Sequence, residues 1–338
     1  LDGDMLLQYQ YTEKKMLKVF LGKNKEGLCE VKLYFSKDFD ELFEMLENRS
    51  KEIHNHPDPI LELTEREIKE FFNDKTDVVY IPAGRSMITL LSNQMNYIYS
   101  SMDDIQKRNM DYCTRSYLEK ILQMKSVFTI SPVEMLNDVI AMTYIKIDEE
   151  RAKESISLMK QLLQGEYINK DGEERLQVSD NQYVKLNYAS SGQQEVVWIL
   201  NVLFYYLLNG ESTYFIIEEP ESHLFPNSQK LVMEFIALVC NGNGNQLFLT
   251  THSPYILGTI NNLLYADKVS GDVDENKLNQ IVSKNKWLNF DRVNAIFVQN
   301  GKIKSCLDKE FKSIENEVID GASEQINEDY DKMLVLKG

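Results

Sequence analysis

Three short pieces of this chain decide its fold: Ala189-Ser190-Ser191-Gly192-Gln193-Gln194-Glu195, Tyr214-Phe215-Ile216-Ile217-Glu218-Glu219-Pro220-Glu221 and Gln246-Leu247-Phe248-Leu249-Thr250-Thr251-His252-Ser253-Pro254. An apolar helix from Val196 to Leu208 joins the first to the second, and Asn209-Gly210 stops it. A helical pattern at 227–240, then Asn241-Gly242-Asn243-Gly244, joins the second to the third. Apolar strand, helix and apolar strand at this spacing predict a βαβ unit with parallel strands. An open parallel α/β sheet places its ligand crevice at the carboxyl ends of the strands. Glu218, Glu219 and His252 all fall there.

Each piece has a chemical reading beside a plainer one. Of the carboxylates Glu218 and Glu219, one can hold a magnesium ion, directly or through its waters, while the other deprotonates a water beside a phosphate. The alternative is a strand that ends in solvated acids. His252 can hydrogen-bond a terminal phosphate, or it can be a satisfied structural histidine. Ser190, Ser191, Gly192 and Gln193 precede a helix, where free backbone N–H groups and the helix dipole suit an anion; an ordinary N-cap uses the same residues.

Working outward, residues 5–36 alternate as antiparallel strands around the turn Gly22–Gly27. Residues 37–56 and 64–73 read as helices broken by Asn55-His56-Pro57-Asp58-Pro59, and Asp77–Pro82 as a strand buried on both faces. Residues 86–165 form a helical region of three or four helices with a break at Ser131-Pro132. Residues 166–189 return to strands, with a turn at Asn169–Gly172 and a strand at Tyr183–Tyr188. Val293–Val298 and Lys302–Ser305 pair around Asn300-Gly301, and a charged helical tail begins near 309. The expected division is 1–85 as the β-rich part of the core, 86–165 as a helical insertion, 166–270 as the core with the three pieces above, and 271–338 as a strand pair and tail.

Composition narrows the function. Of 338 residues, 43% are hydrophobic and 27% charged, and the formal net charge is −16. That is a globular chain without a generally basic surface for nucleic acid. No apolar run is long enough to span a membrane, the start has no signal-peptide pattern, and the four cysteines are scattered. A cytoplasmic protein with reduced thiols is expected. Three lesser features carry two readings each. His54-Asn55-His56 with Asp58 is a polar loop more than a metal site. Arg85 can approach a phosphate or an acid across a dimer, or form a structural ion pair. Lys107, Arg108, Arg115, Lys120 and Lys125 make a locally basic stretch that can touch nucleic acid or a partner, although interspersed acids favour a solvated face.

In order and spacing, the three pieces resemble the C-terminal half of an ABC-type P-loop ATPase. Ser190–Gln193 resembles the signature motif, Tyr214–Glu219 the Walker B strand, Pro220–Phe225 the D-loop and His252 the switch histidine. The preceding layout, with Ile81-Pro82-Ala83-Gly84-Arg85, is similar to the soluble RecF-like, SMC-like and overcoming-lysogeny-like group, more than to a transporter subunit. The resemblance implies an α/β fold with a P-loop NTPase, ABC-ATPase-like sheet, an antiparallel β subdomain and a helical insertion. It implies ATP and Mg2+ as cofactors and a head-to-head homodimer that shares each nucleotide. Glu219 would be the general base, His252 would contact the γ-phosphate, Glu218 would serve the magnesium, and Ser190, Ser191, Gly192 and Gln193 would complete the neighbour's site. The engine would power or license an effector such as a nuclease, in nucleic-acid metabolism or phage defence, with no membrane partner.

Two departures bear on this. Glu218 replaces the usual aspartate, and no G-x-x-x-x-G-K-[ST] occurs in the chain. The chain begins with Leu rather than Met, and the phosphate loop is expected upstream of Leu1; omitted internal segments or a relative without the loop are the alternatives. A binding or scaffold module that uses ATP to hold a dimer, with slow or no hydrolysis, is the competing function.

Overall fold

A computed structural model describes residues 5–23, 27–52, 57–74, 76–87, 89, 97, 100–103, 111–142, 147–315 and 317–337. The His54-Asn55-His56 stretch, Lys107 and Arg108 lie outside the described residues. The chain divides into two compact units, residues 1–76 and 77–338.

The first unit is an antiparallel sheet with two helices. Strands β1 (Met5–Gln10), β2 (Met16–Lys23) and β3 (Cys29–Phe35) pair in sequence order. The register aligns Leu7, Val19 and Leu33, and likewise Tyr9, Leu17 and Phe35, so one face carries the apolar side chains. Helices α1 (Lys37–Glu52) and α2 (Pro57–Phe72) follow. Phe35, Phe39, Phe43, Phe71 and Phe72 form an aromatic knot, with Phe35 and Phe43 edge to face at 5.0 Å and Phe39 to Phe71 at 5.0 Å. Helix α2 starts earlier than the sequence pattern predicts. Pro57 and Pro59 fall in its first turn, where a missing N–H costs nothing because that amide has no helical acceptor.

The second unit is built on the parallel sheet β4 (Asp77–Ile81), β8 (Thr213–Glu218), β9 (Gln246–Thr250), in the order β4-β8-β9. Helix α7 (Pro226–Cys240) connects β8 to β9 and completes the predicted βαβ unit. Strand β4 corrects one expectation. Val79 and Ile81 are buried, but on the other face Val78 is 64% exposed and Tyr80 half-buried, so only one face of this strand is fully buried. Helix α6 (Ser191–Asn209) forms the spine. Nearly every residue from Val196 to Leu208 is buried, as a helix apolar all round must be. Gly210, in the left-handed conformation, closes it.

The predicted helical region contains α3 (Tyr112–Val127), α4 (Pro132–Ala141) and α5 (Glu149–Leu163). The antiparallel sheet β5 (Glu166–Lys170), β6 (Glu173–Ser179), β7 (Gln182–Lys185) follows, with Asp171-Gly172 at positive φ in its first turn. The last strand is shorter than predicted: after Lys185 the backbone tightens into a 3-10 turn at Leu186–Tyr188. A buried Lys125–Glu174 ion pair at 2.8 Å joins α3 to β6, and Tyr167 donates to the same carboxylate at 2.9 Å. Beyond β9 come α8 (Pro254–Val269), α9 (Glu275–Ile281), and the hairpin β10 (Ile296–Gln299) and β11 (Lys302–Ser305), turned by Asn300-Gly301 as predicted. Two short strands, β12 (Leu307–Asp308) and β13 (Ser313–Ile314), precede the tail helix α10 (Glu317–Lys337). All four cysteines are free, and burial pushes the Cys240 thiol up to about 12. Among the described residues no helix is long and apolar enough to cross a membrane.

Candidate active site

The site is assembled where β8 ends. Glu218 is the last residue of the strand and lies in register with Thr250 of β9. The Glu219 N–H continues the ladder one step, donating to the Thr250 carbonyl at 3.0 Å. There the backbone turns sharply. Glu219 has φ 41° and His223 φ 60°, left-handed values that non-glycine residues adopt at a cost. Pro220 is buried, and the Ser222 N–H donates to the Glu219 carbonyl at 3.1 Å.

The two carboxylates face different neighbours. Glu218 Oε2 accepts from the Ala83 N–H at 3.1 Å, and the Tyr80 hydroxyl bonds the same side chain. Burial first, then the bond and charge of Glu218, push the Tyr80 hydroxyl up to about 12. Glu219 is 39% exposed; the Ser222 hydroxyl donates to its Oε2 at 3.3 Å, and His252 Nε2 lies 3.6 Å from its Oε1. The His252 side chain is 87% exposed, while its backbone N–H donates to Glu221 Oε1 at 2.7 Å, as does the Thr251 hydroxyl. Ser253 then caps α8, accepting from the Tyr255 and Ile256 amides.

The start of α6 is a capping box. Ser190 Oγ accepts from the Gln193 N–H at 3.3 Å, and Gln193 Oε1 accepts from the Ser190 N–H at 3.0 Å. Ser190 and Ser191 are exposed, and the Ser191 and Gly192 amides face the open end of the helix. Gly192 is buried against the loop after Glu219: a Cβ there would meet the His223 carbonyl oxygen at 2.8 Å and Leu224 at 3.1 Å. The fold therefore brings Glu219 and His252 together and seats the first turn of α6 on the loop between Glu219 and α7. Among the described residues no hydrogen bond joins Ser190 or Ser191 to Glu218, Glu219 or His252.

Arg85 resolves to one of its two sequence readings. It is fully buried and pairs with Glu195 of its own chain at 3.3 Å. Its Nη atoms reach the carbonyls of Pro82, Glu218 and Glu219 at 2.6, 2.7 and 2.9 Å. Glu195 carries no motif signal in the sequence. The one available signal is an acid leading directly into the apolar run Val196–Leu208, a position that, once buried, demands a charged partner.

The oxygen-rich donor set of carboxylates and hydroxyls at this sheet edge suits a hard cation. Among the described residues no three His, Cys, Asp or Glu side chains are grouped to share a metal. Magnesium usually keeps several waters and needs only one or two carboxylates beside phosphate oxygens.

Compared with family models, residues 5–257 match the AAA ATPase domain. The chain belongs to this family. The matched span of the AAA ATPase domain runs from β1 into α8 and takes in Ser190–Gln193, Glu218, Glu219 and His252. Its placement among ABC/AAA-type P-loop ATPases of the RecF/SMC-like group agrees with the motif resemblance. Among curated proteins this AAA ATPase domain chain has no match.

Proposed function

We propose that this AAA ATPase domain protein is a dimeric ABC-type ATPase, binding and hydrolysing ATP with Mg2+ to power or license a partner acting on nucleic acid in metabolism or phage defence. The carrying observation is the Glu219 carboxylate at the carboxyl end of β8, partly open, between the Ser222 hydroxyl and the His252 imidazole. In this role Glu219 accepts a proton from the attacking water at its open oxygen, while Ser222 holds the other oxygen and fixes the carboxylate plane. His252, exposed beside it, donates to a terminal phosphate oxygen. Glu218, tied to Ala83 through one oxygen, orients the magnesium's waters with its remaining lone pairs. Magnesium neutralises charge on the phosphates when it is bound. Ser190, Ser191 and Gly192, with Gln193 closing the cap, present hydroxyls and free amides to the nucleotide of a second copy.

The variant Glu219→Gln tests the assignment. Its ATP turnover should fall by at least about 100-fold, the scale on which a positioned base acts, while Mg-ATP-dependent self-association by light scattering persists or strengthens. Turnover equal to wild type would remove Glu219 as the base. The second reading, a scaffold held by ATP, draws on Glu218 standing where the family motif has aspartate. It predicts ATP-dependent dimerisation with slow or no turnover even in the wild-type protein.

A further inference from the structure

Arg85 makes a set of bonds that spans three separate segments. Its Nη1 donates to the carbonyls of Pro82 and Glu218, and its Nη2 to the carbonyl of Glu219. Its Nε donates to the Glu195 carbonyl at 3.2 Å and lies 3.3 Å from Glu195 Oε2. The Glu195 carboxylate, 1% exposed, also accepts the Arg85 and Ser86 amides at 3.0 Å each, so it caps the helix that begins at Arg85. Thr89 extends the tie, its one hydroxyl proton shared between the Gln194 carbonyl at 2.8 Å and the Arg85 carbonyl at 3.0 Å. Tyr117 of α3 is near enough to feel both charges.

The consequence lies at Glu219. Its peptide is held on both sides, by Thr250 at the N–H and by Arg85 at the carbonyl, in a left-handed conformation that an isolated glutamate would leave. Arg85 reaches no substrate position, since it is wholly enclosed. We infer that Arg85 and Glu195 are positioning residues: a buried brace that fixes the Glu218–Glu219 turn in its working shape and locks that turn to the first turns of α6, so that the base of one site and the exposed serines offered to the other move as one piece. This rests on the reading of Glu219 as the base. A guanidinium is suited to the task because its planar fork spreads five donors from three nitrogens in a fixed geometry, whereas an ammonium offers three from a single point.

The test uses the full chain with Arg85→Lys and Glu195→Gln, each compared with Glu219→Gln. Amide hydrogen exchange is the first readout. Both brace variants should raise exchange across 218–224 by about tenfold, while 196–208 and 232–240 stay within about twofold of wild type. Turnover is the second. Both variants should lose at least about tenfold in kcat with KM for ATP nearly unchanged, because the base is displaced and binding is not. An unchanged 218–224 segment, or a uniform rise everywhere, overturns the brace. Faster local exchange with wild-type kcat, while Glu219→Gln is inactive, overturns its positioning role alone. Full turnover in Glu219→Gln instead removes the underlying reading and the positioning role with it. If Arg85→Lys does not fold, Glu195→Gln decides; failure of both to fold makes the pair architectural and also overturns the proposal.

Discussion

Gly192 shows how tightly single atoms are specified. In the sequence it is a small residue in an N-cap motif; in the fold it is the point where α6 touches the loop after Glu219. A methyl group there would lie 2.8 Å from the His223 carbonyl oxygen. His223 already has a left-handed backbone, so its carbonyl has little freedom to retreat. Gly192→Ala should therefore cost about 1–3 kcal/mol, the usual range for forced overpacking, and lower Tm by several degrees in a thermal melt. A melt unchanged from wild type would show that the loop yields. Ser190 behaves differently: it is a true N-cap, and it is exposed. Caps are legible since donor and acceptor lie three residues apart. The Arg85–Glu195 pair was not, since its members are 110 residues apart and leave no period in the sequence.

At the scale of elements, legibility follows local chemistry. The turns at Asp171-Gly172 and Asn300-Gly301, the stop at Gly210 and the break at Ser131-Pro132 fall where the residues predict, because each demands a backbone conformation that only a few side chains permit. What misled was context. Val78 looks like a core residue, yet it faces outward on β4, because apolar composition does not say how many faces of a strand are covered. Helix α4 gives the test. Ser131 Oγ accepts the Glu134 N–H at 3.2 Å, and Glu134 Oε2 accepts the Ser131 N–H at 2.8 Å. Ser131→Ala should cost about 1 kcal/mol at neutral pH, the ordinary value of such a cap. The backbone bond from Ser131, then its hydroxyl, hold the Glu134 carboxyl below its usual range. A depressed carboxyl contributes above its unfolded value and loses that contribution as pH falls through the depressed one. The difference between variant and wild type, measured by urea melts, should narrow in acid; equal gaps at neutral and acid pH would rule out the reciprocal box.

Across the whole molecule, distant segments are stitched to the βαβ unit by buried charge. Lys286 lies 2.9 Å from Glu234 of α7 and 3.2 Å from Glu154 of α5, and Lys230 pairs with the same Glu234 at 2.7 Å. Arg151 of α5 adds bonds to the carbonyls of Leu238 and Asn285, at 2.6 and 2.9 Å. One short segment near 285 thus joins the inserted helices to α7, whose amino end follows the Glu219 turn. The carboxyl of Glu234 shows the balance: burial pushes it upward, but the bonds and charges of Lys230 and Lys286 outweigh burial and hold it below its usual range. Its contribution is therefore present above the ordinary carboxylate range and disappears as pH falls through the depressed value. Glu234→Gln should destabilise the fold at pH 7 by about 2 kcal/mol, less than stripping a buried ion of its only partner, because Glu154 still faces Lys286. Wild type should lose this advantage as pH falls from the ordinary carboxylate range through the depressed value of Glu234, so the melting curves of the two proteins converge in acid. Parallel Tm profiles across that span would mean that the stitch is held by shape and hydrogen bonds, and that the charge on Glu234 contributes nothing to joining α5 with α7.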